Sequence, residues 1–410
     1  MHILLIHQAF VTIGEAGGTR HHELARELVR RGHRVTVLAG GVSYLTGKQV
    51  GSGWLTRQQD DVGVRIWRPY TYSGWHRSFV HRVVSFVSFM LSSFIVGLRV
   101  REVDLIWGTS PPIFQAASSW LLARLKRVPY VLEIRDLWPY FAIEVGVLRN
   151  RWLIAMSRWL ERFLYRRADR LVVNSPGFID HVHQRGAKRV DLVPNGVDIS
   201  MFDPAASGQS FRQANGLGDG YVVLYAGAHG MSNDLGVVLQ AAELLRDEPA
   251  VVFALVGDGK EKPALQARVL ELALNNVRFV PAVEKSGMRQ ALAAADACLA
   301  ILKPLEAYRT TYPNKVFDYM AAGRPVLLAI DGVIRQVVEQ AQAGLFVPPG
   351  DPGALADAIR QLRSDPEGAR EMGLRGRRYV GERFSRTTSA DKLLKVFESA
   401  LSDRVGDQQR

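Results

Sequence analysis

The sequence predicts an α/β protein made of two doubly wound parallel sheets, one in each half of the chain. Short runs rich in β-branched residues alternate with segments of helical periodicity, and the alternation starts afresh near residue 220. No fixed-period repeat appears, which excludes a solenoid. A length of 410 residues suits two domains of ordinary size.

In the first half the strands read HILLIH, RVTVLAG, VRIWRPY, DLIWGTS, YVLEIRD and RLVVNS. TRHHELARELVRRGH lies between the first two, with Leu24 and Leu28 on one helical face. In the second half YVVLYAG, VVFALVGDG, VRFVPAV, ACLAIL and RPVLLAI are strands of the same kind, separated by helical segments that include KPALQARVLELALNN and PNKVFDYMAAG. The Gly-, Ala- and Ser-rich stretch 203–220 marks the expected boundary. The expected domains are therefore 1–203 and 204–384, with 385–410 a final helix that feeds no further strand and packs back toward the first domain.

Apolar residues make up 47% and charged residues 22%, so cores can form and disorder is not indicated. The single cysteine, Cys298, excludes an intrachain disulfide and a cysteine-based zinc site, and fits a reducing cytosol. MHILLIHQAF reads as a buried strand and not as an export signal. The stretch 83–98 is too short and too serine-rich for a membrane span, and reads either as an interfacial helix or as a core helix.

The net charge of +12 is uneven: residues 1–200 carry 27 basic and 15 acidic side chains, and 201–410 carry 25 of each. A basic half implies an anionic counterpart. The arginines lack the regular aromatic interleaving of a nucleic-acid surface, so no nucleic acid is expected. H-E-x-x-H, D-x-D, the P-loop and G-x-S-x-G patterns are all absent, and neither a metal site nor a cofactor is expected.

Four places join a strand to a helix in a way that suits phosphate. Gly17 and Gly18 precede the first helix; Gly227, His229 and Gly230 follow YVVLYAG; Gly257, Gly259, Lys260 and Lys262 follow VVFALV. The fourth is TYPNK, where Lys315 falls at the positive end of a helix started by Pro313, and a cation there is misplaced unless an anion joins it. Asp318 lies one turn on. His21 and His22 are expected at the surface.

GGTRHHELARELVRRGHRVTVL, LEIRDLWP, VPNGVDISMF, VGDGKEKPAL and PNKVFDYMAAGRPVLLAIDG followed by AGLFVPPGD resemble, in order, the GT-B fold glycosyltransferases of family 4. RDLWP together with PNKVFDYM is most similar to the subgroup containing the bacterial L-fucosamine transferases. The resemblance implies two Rossmann-like domains facing a central cleft. It also implies retaining, metal-independent transfer of a sugar, an N-acetylated amino sugar, from a UDP-sugar. The acceptor would be a polyprenyl-diphosphate-linked saccharide, in synthesis of lipopolysaccharide O-antigen or another surface polysaccharide. The enzyme would be cytoplasmic, held peripherally on the anionic inner face of the cytoplasmic membrane.

Residue by residue, the resemblance assigns Gly17, Gly18, His229, Gly230, Gly257, Gly259, Lys262, Val280, Asn314 and Asp318 to the donor, with Val280 at the base and Asp318 at the ribose. Lys315, with Arg135 and Asp136, carries catalysis; Arg20 and Trp138 meet the acceptor. Four positions depart from the family: Thr310 replaces the first glutamate of E-x7-E, the shorter Asp318 replaces the second, Arg135 replaces a histidine, and His229 stands in for the usual Arg and Lys. The departures at Thr310 and Arg135 favour the rival of a nucleotide-sugar-binding protein without catalysis. A GT-B nucleotide-sugar 2-epimerase is the other alternative.

Overall fold

The computed structural model describes residues 1–15, 17–43, 47–74 and 78–408. The chain forms two compact units, one of Met1–Thr12, Gly18–Pro194 and Thr387–Arg410, the other of Ile13–Gly17 and Asn195–Arg386.

In the first unit eight strands form one sheet: β1 His2–His7, β2 Arg34–Ala39, β3 Leu55–Gln59, β4 Arg65–Pro69, β5 Leu105–Ser110, β6 Tyr130–Ile134, β7 Arg170–Val173 and β8 Val190–Leu192. Their order is β3-β4-β2-β1-β5-β6-β7-β8. All neighbours are parallel except β3, which runs antiparallel to β4. From β1 the chain steps to β2 on one side and later to β5 on the other, which opens a crevice at the carboxyl ends of β1 and β5. The helix Arg386–Gln408 belongs to this unit: Ala390, Leu393, Phe397 and Ala400 are buried with residues of β1 and β2, and Phe397 meets Trp107 at 5.5 Å.

The second unit has six parallel strands: β9 Tyr221–Ala226, β10 Val251–Val256, β11 Val277–Val280, β12 Ala297–Ile301, β13 Val326–Ala329 and β14 Gly344–Phe346. They are ordered β11-β10-β9-β12-β13-β14. The division between the units comes earlier than the 203/204 boundary expected from composition. Val197 donates to the Phe384 carbonyl (2.9 Å) and accepts from the Arg386 N–H (3.0 Å). Phe202 is buried with Val316 and Phe317, so residues 195–203 are part of the second core.

Each strand read from the sequence is present. Three strands not foreseen, β3, β8 and β14, all lie at sheet edges. The LTRQQ of β3 is largely exposed and the other two are three residues long, so neither has the buried apolar run that betrays a central strand.

Helix Phe79–Arg99, which contains 83–98, has a buried face and an exposed one. Phe89, Val96, Ser85, Ser92 and Ser93 are buried, whereas Val80, Val84, Leu91, Ile95 and Leu98 are exposed. By length and composition Val80–Arg99 could cross a membrane. Here it is tied to the sheet layer, with Ser92 Oγ donating to the Tyr70 carbonyl at 2.6 Å. The preceding Trp75, His76 and Arg77 lie outside the described residues.

Candidate active site

In the second unit the loops after β9 and β10 are laced together. Gly227 N–H donates to Val256 O (3.0 Å), His229 N–H to Asp258 O (2.8 Å) and Glu261 N–H to His229 O (2.9 Å). The approach is too close for a side chain: a Cβ on Gly257 would run into the Gly227 carbonyl oxygen. Val280 closes β11 and its carbonyl accepts from Gly257 N–H at 3.0 Å. Lys262 begins a helix, and its Nζ turns back to the Gly257 carbonyl at 2.9 Å. Gly259 and Gly230 complete these loops.

The helix Asn314–Ala321 is fastened to the end of β9 by Tyr319, whose hydroxyl accepts from Ala226 N–H (2.9 Å) and stands 3.2 Å from the Ala226 carbonyl. One turn earlier on that face, Lys315 therefore comes beside Gly227, where a Cβ would stand 2.9 Å from its Nζ. Lys315 Nζ donates to Asn233 Oδ1 at 3.3 Å and lies 4.0 Å from the centre of the Tyr225 ring. Among the described residues no carboxylate forms an ion pair with it. Burial pushes its pKa down to about 7. Pro313 precedes the helix rather than entering its first turn, and Asn314 at the start is exposed.

His229 is fully buried, and among the described residues neither ring nitrogen has a hydrogen-bond partner. Burial, with the Lys262 and Lys315 ammonium groups, lowers it to about 4, so the imidazole is neutral at pH 7. An imidazole buried in this way, with the charges of two lysines acting on it, is a costly arrangement for folding alone. Asp318, one turn from Lys315, is held by Lys285, whose Nζ lies 2.7 Å from each carboxylate oxygen.

The first unit gathers a second cluster at the ends of β1, β5 and β6. Glu133 is completely buried. It accepts from Arg20 Nε (3.0 Å), Trp107 Nε1 (2.9 Å) and His21 Nε2 (3.1 Å). Burial opposes its ionisation, but His21 and Arg20 outweigh that and hold its carboxyl well below the usual range. Burial lowers His21 to about 4. At neutral pH the ion pair is thus Arg20–Glu133, with His21 a neutral donor. His7 Nε2 faces Arg135 Nη1 at 3.2 Å, and because a guanidinium can only donate, the His7 proton sits on Nδ1 toward Thr109 Oγ1 at 2.9 Å.

Two models match the chain, each within one half: "Glycosyl transferase 4-like domain" over residues 16–196 and "Glycosyl transferases group 1" over 220–365. The chain is a GT-B glycosyltransferase. Among proteins similar to this transferase is WcaI of Escherichia coli (strain K12), whose name assigns it to colanic acid biosynthesis as a glycosyl transferase. It is 26% identical over 355 residues, 83% of this chain and 86% of WcaI. Similar solved structures include the sucrose-phosphate synthase of Thermosynechococcus elongatus (TM-score 0.77, 19% identity, 98% of this chain and 99% of that one). Anabaena HepE in complex with UDP-glucose is another (TM-score 0.72, 17% identity, 97% of this chain and 100% of that one).

Not every expected residue of the transferase sits where a ligand could reach it. Arg20, expected at the acceptor, is buried: its Nη1 and Nη2 each donate at 2.7 Å to the Pro194 and Val193 carbonyls, and its Nε to Glu133. His21 and His22, expected at the surface, are both buried, the latter 3.0 Å from Asp60 Oδ2. Among the described residues nothing lies within 4 Å of where a Cβ on Gly18 would stand; Gly17 adopts φ 140°. Asp136 is exposed, Arg135 half-buried, and Trp138 packs at the edge of the core. Reasoning from the sequence missed Tyr225, Asn233 and Tyr319 around Lys315, Lys285 at Asp318, and His7, Trp107 and Glu133 in the first unit. Glu133 left a trace: it is the lone acid inside the apolar strand YVLEI.

Proposed function

We propose that this transferase moves a sugar, an N-acetylated amino sugar, from a UDP-sugar to a lipid-linked saccharide with retention at the anomeric carbon. The product would serve lipopolysaccharide O-antigen or another surface polysaccharide, as in the fucosamine transferase subgroup. It would be made on the anionic cytoplasmic face of the membrane from a polyprenyl-diphosphate-linked acceptor. The observation that carries the reading is the Lys315 ammonium, half-buried, without a carboxylate partner among the described residues and facing the Gly227 backbone.

Cleaving a sugar–diphosphate bond leaves positive charge on the sugar and negative charge on the phosphate. Lys315 neutralises the departing phosphate, and glycine N–H groups with helix N-termini share the load. Neutral His229 donates one hydrogen bond to the same oxygens. No residue is assigned as a displacing carboxylate, so the acceptor hydroxyl attacks from the face the phosphate leaves, with Arg135 and Asp136 orienting it. The printed name of WcaI supports a polysaccharide product, and the UDP-glucose bound by HepE supports a UDP donor.

Calorimetry with UDP, ADP and GDP tests the donor, and turnover of UDP-sugars with bacterial membrane extract tests transfer. Tight binding of UDP lost in Lys315→Ala is expected. Preference for ADP or GDP would overturn the base assignment. Binding without turnover would favour the reading as a non-catalytic binder, which Thr310 supports: its hydroxyl is turned to the Ala307 carbonyl at 2.7 Å, and the position offers no acid.

A further inference from the structure

We propose that three helices of the first unit, Phe79–Arg99, Ile113–Lys126 and Arg151–Arg167, form a docking face for the anionic leaflet of a bilayer, with Trp152, Met156 and Trp159 entering the interface. This rests on the lipid-linked acceptor proposed above and names the surface that would reach it.

Helix Arg151–Arg167 is the decisive element. Trp152, Met156 and Trp159 are 75%, 66% and 65% exposed. Their spacing puts them on one face. Arg151, Arg158 and Arg162, two turns and then one turn apart, lie along an adjoining stripe, and all are exposed, as are Arg166 and Arg167. The helix's one acid, Glu161, is buried and paired with His181 at 2.9 Å, so the exposed surface of the helix carries five arginines and no acid.

The apolar surface continues onto its neighbours. Trp159 stacks on Phe163 (5.6 Å between centroids), which meets Trp120 of the middle helix edge-on (4.8 Å). Leu121 and Leu125 of that helix are exposed. Helix Phe79–Arg99 buries Ser85, Ser92 and Ser93 beside Phe89 and Val96, while exposing Val80, Val84, Leu91, Ile95 and Leu98. Burying hydroxyls and leaving aliphatic side chains in water gains nothing for folding. An exposed apolar area spread over three helices marks a surface that meets something.

Charge selects the occupant. Tryptophan beside arginine is the composition of a membrane interface, where the rings sit at headgroup depth and the guanidinium groups meet lipid phosphate. A second copy seated on the same face would bring arginine rows against each other, which disfavours self-association.

The test is flotation of the full chain with vesicles of phosphatidylcholine alone and of phosphatidylcholine with phosphatidylglycerol. The wild type is expected to float with the anionic vesicles and to be released by salt. Trp152→Ser, Met156→Ser and Trp159→Ser together should reduce partitioning by at least about tenfold. Arg158→Gln and Arg162→Gln should cost roughly fivefold each. All these side chains are exposed, so the variants should keep wild-type thermal unfolding and UDP binding.

Failure of the wild type to float, or equal flotation of the triple variant, overturns the proposal. So does a dimer in sedimentation equilibrium that the triple variant dissolves, since the face would then belong to a second copy. UDP binding measured on the same samples separates the two ideas: a protein that binds UDP but not vesicles keeps its donor site and loses this surface. A protein that binds vesicles but no nucleotide keeps the surface and loses the proposed donor.

Discussion

The Lys315 ammonium rests on the face of Tyr225, 4.0 Å from the ring centre, while the helix that carries it is pinned through Tyr319 to the next residue of the same strand end, Ala226. Cation and backbone loop are thus held together by two tyrosines, one under the charge and one under the helix. A cation–π contact satisfies part of the charge without using its hydrogen-bonding capacity. Donors remain for a ligand.

Lys315→Ala should weaken UDP binding roughly ten- to a hundredfold, the range of one charge-assisted hydrogen bond, while the thermal unfolding curve stays in place. Titration calorimetry measures the first and differential scanning calorimetry the second. Unchanged affinity would remove Lys315 from the donor site.

The same lysine predicts a pH dependence. In the free protein its pKa is lowered by burial to about 7, and a diphosphate beside it raises that value. Binding therefore takes up a proton between the two values: affinity is greatest below pH 7 and falls as pH rises through it, by up to about tenfold per unit. Nucleotide titrations at increasing pH, in buffers of different ionisation enthalpy, report both slope and proton uptake. A flat profile above pH 7 would contradict the assignment.

Glu133→Gln should destabilise the first unit by about 3–5 kcal/mol, because it leaves the buried Arg20 guanidinium without its counter-charge. Urea unfolding followed through tryptophan fluorescence checks this, since Trp107 donates to the same carboxylate. Loss of stability below about 1 kcal/mol would mean that Arg20 is sufficiently held by its remaining partners, the Val193 and Pro194 carbonyls among them.

Asp318→Asn should weaken UDP binding more than inorganic diphosphate binding if its carboxylate reaches the ribose. Lys285→Met tests the partner: it frees the carboxylate and should alter UDP affinity without affecting diphosphate. Equal effects on both ligands would show that the Lys285–Asp318 pair only supports the helix.

Much of the fold could be read from sequence because central strands must bury both faces: runs such as VVFALV and ACLAI announce themselves. The edge strands β3, β8 and β14 could not be read, because an edge needs neither length nor apolar content. The glycine loops after β9 and β10 were visible for a similar reason, as glycine at a strand end is a backbone requirement. Partners such as Tyr225, Asn233 and Lys285 were not, since nothing local distinguishes them from any half-buried polar residue.

The sequence by itself determined the two-sheet class, the order of the strand–helix turns and the presence of a lysine at the mouth of the helix Asn314–Ala321. Tertiary structure alone decided what faces what. It turned Arg20 inward onto Glu133 and brought Lys315 against Tyr225 and Gly227. It also sent the serines of Phe79–Arg99 inside while leaving Trp152 and Trp159 in water. Periodicity fixes which residues share a face, but only packing against distant segments selects which face is buried.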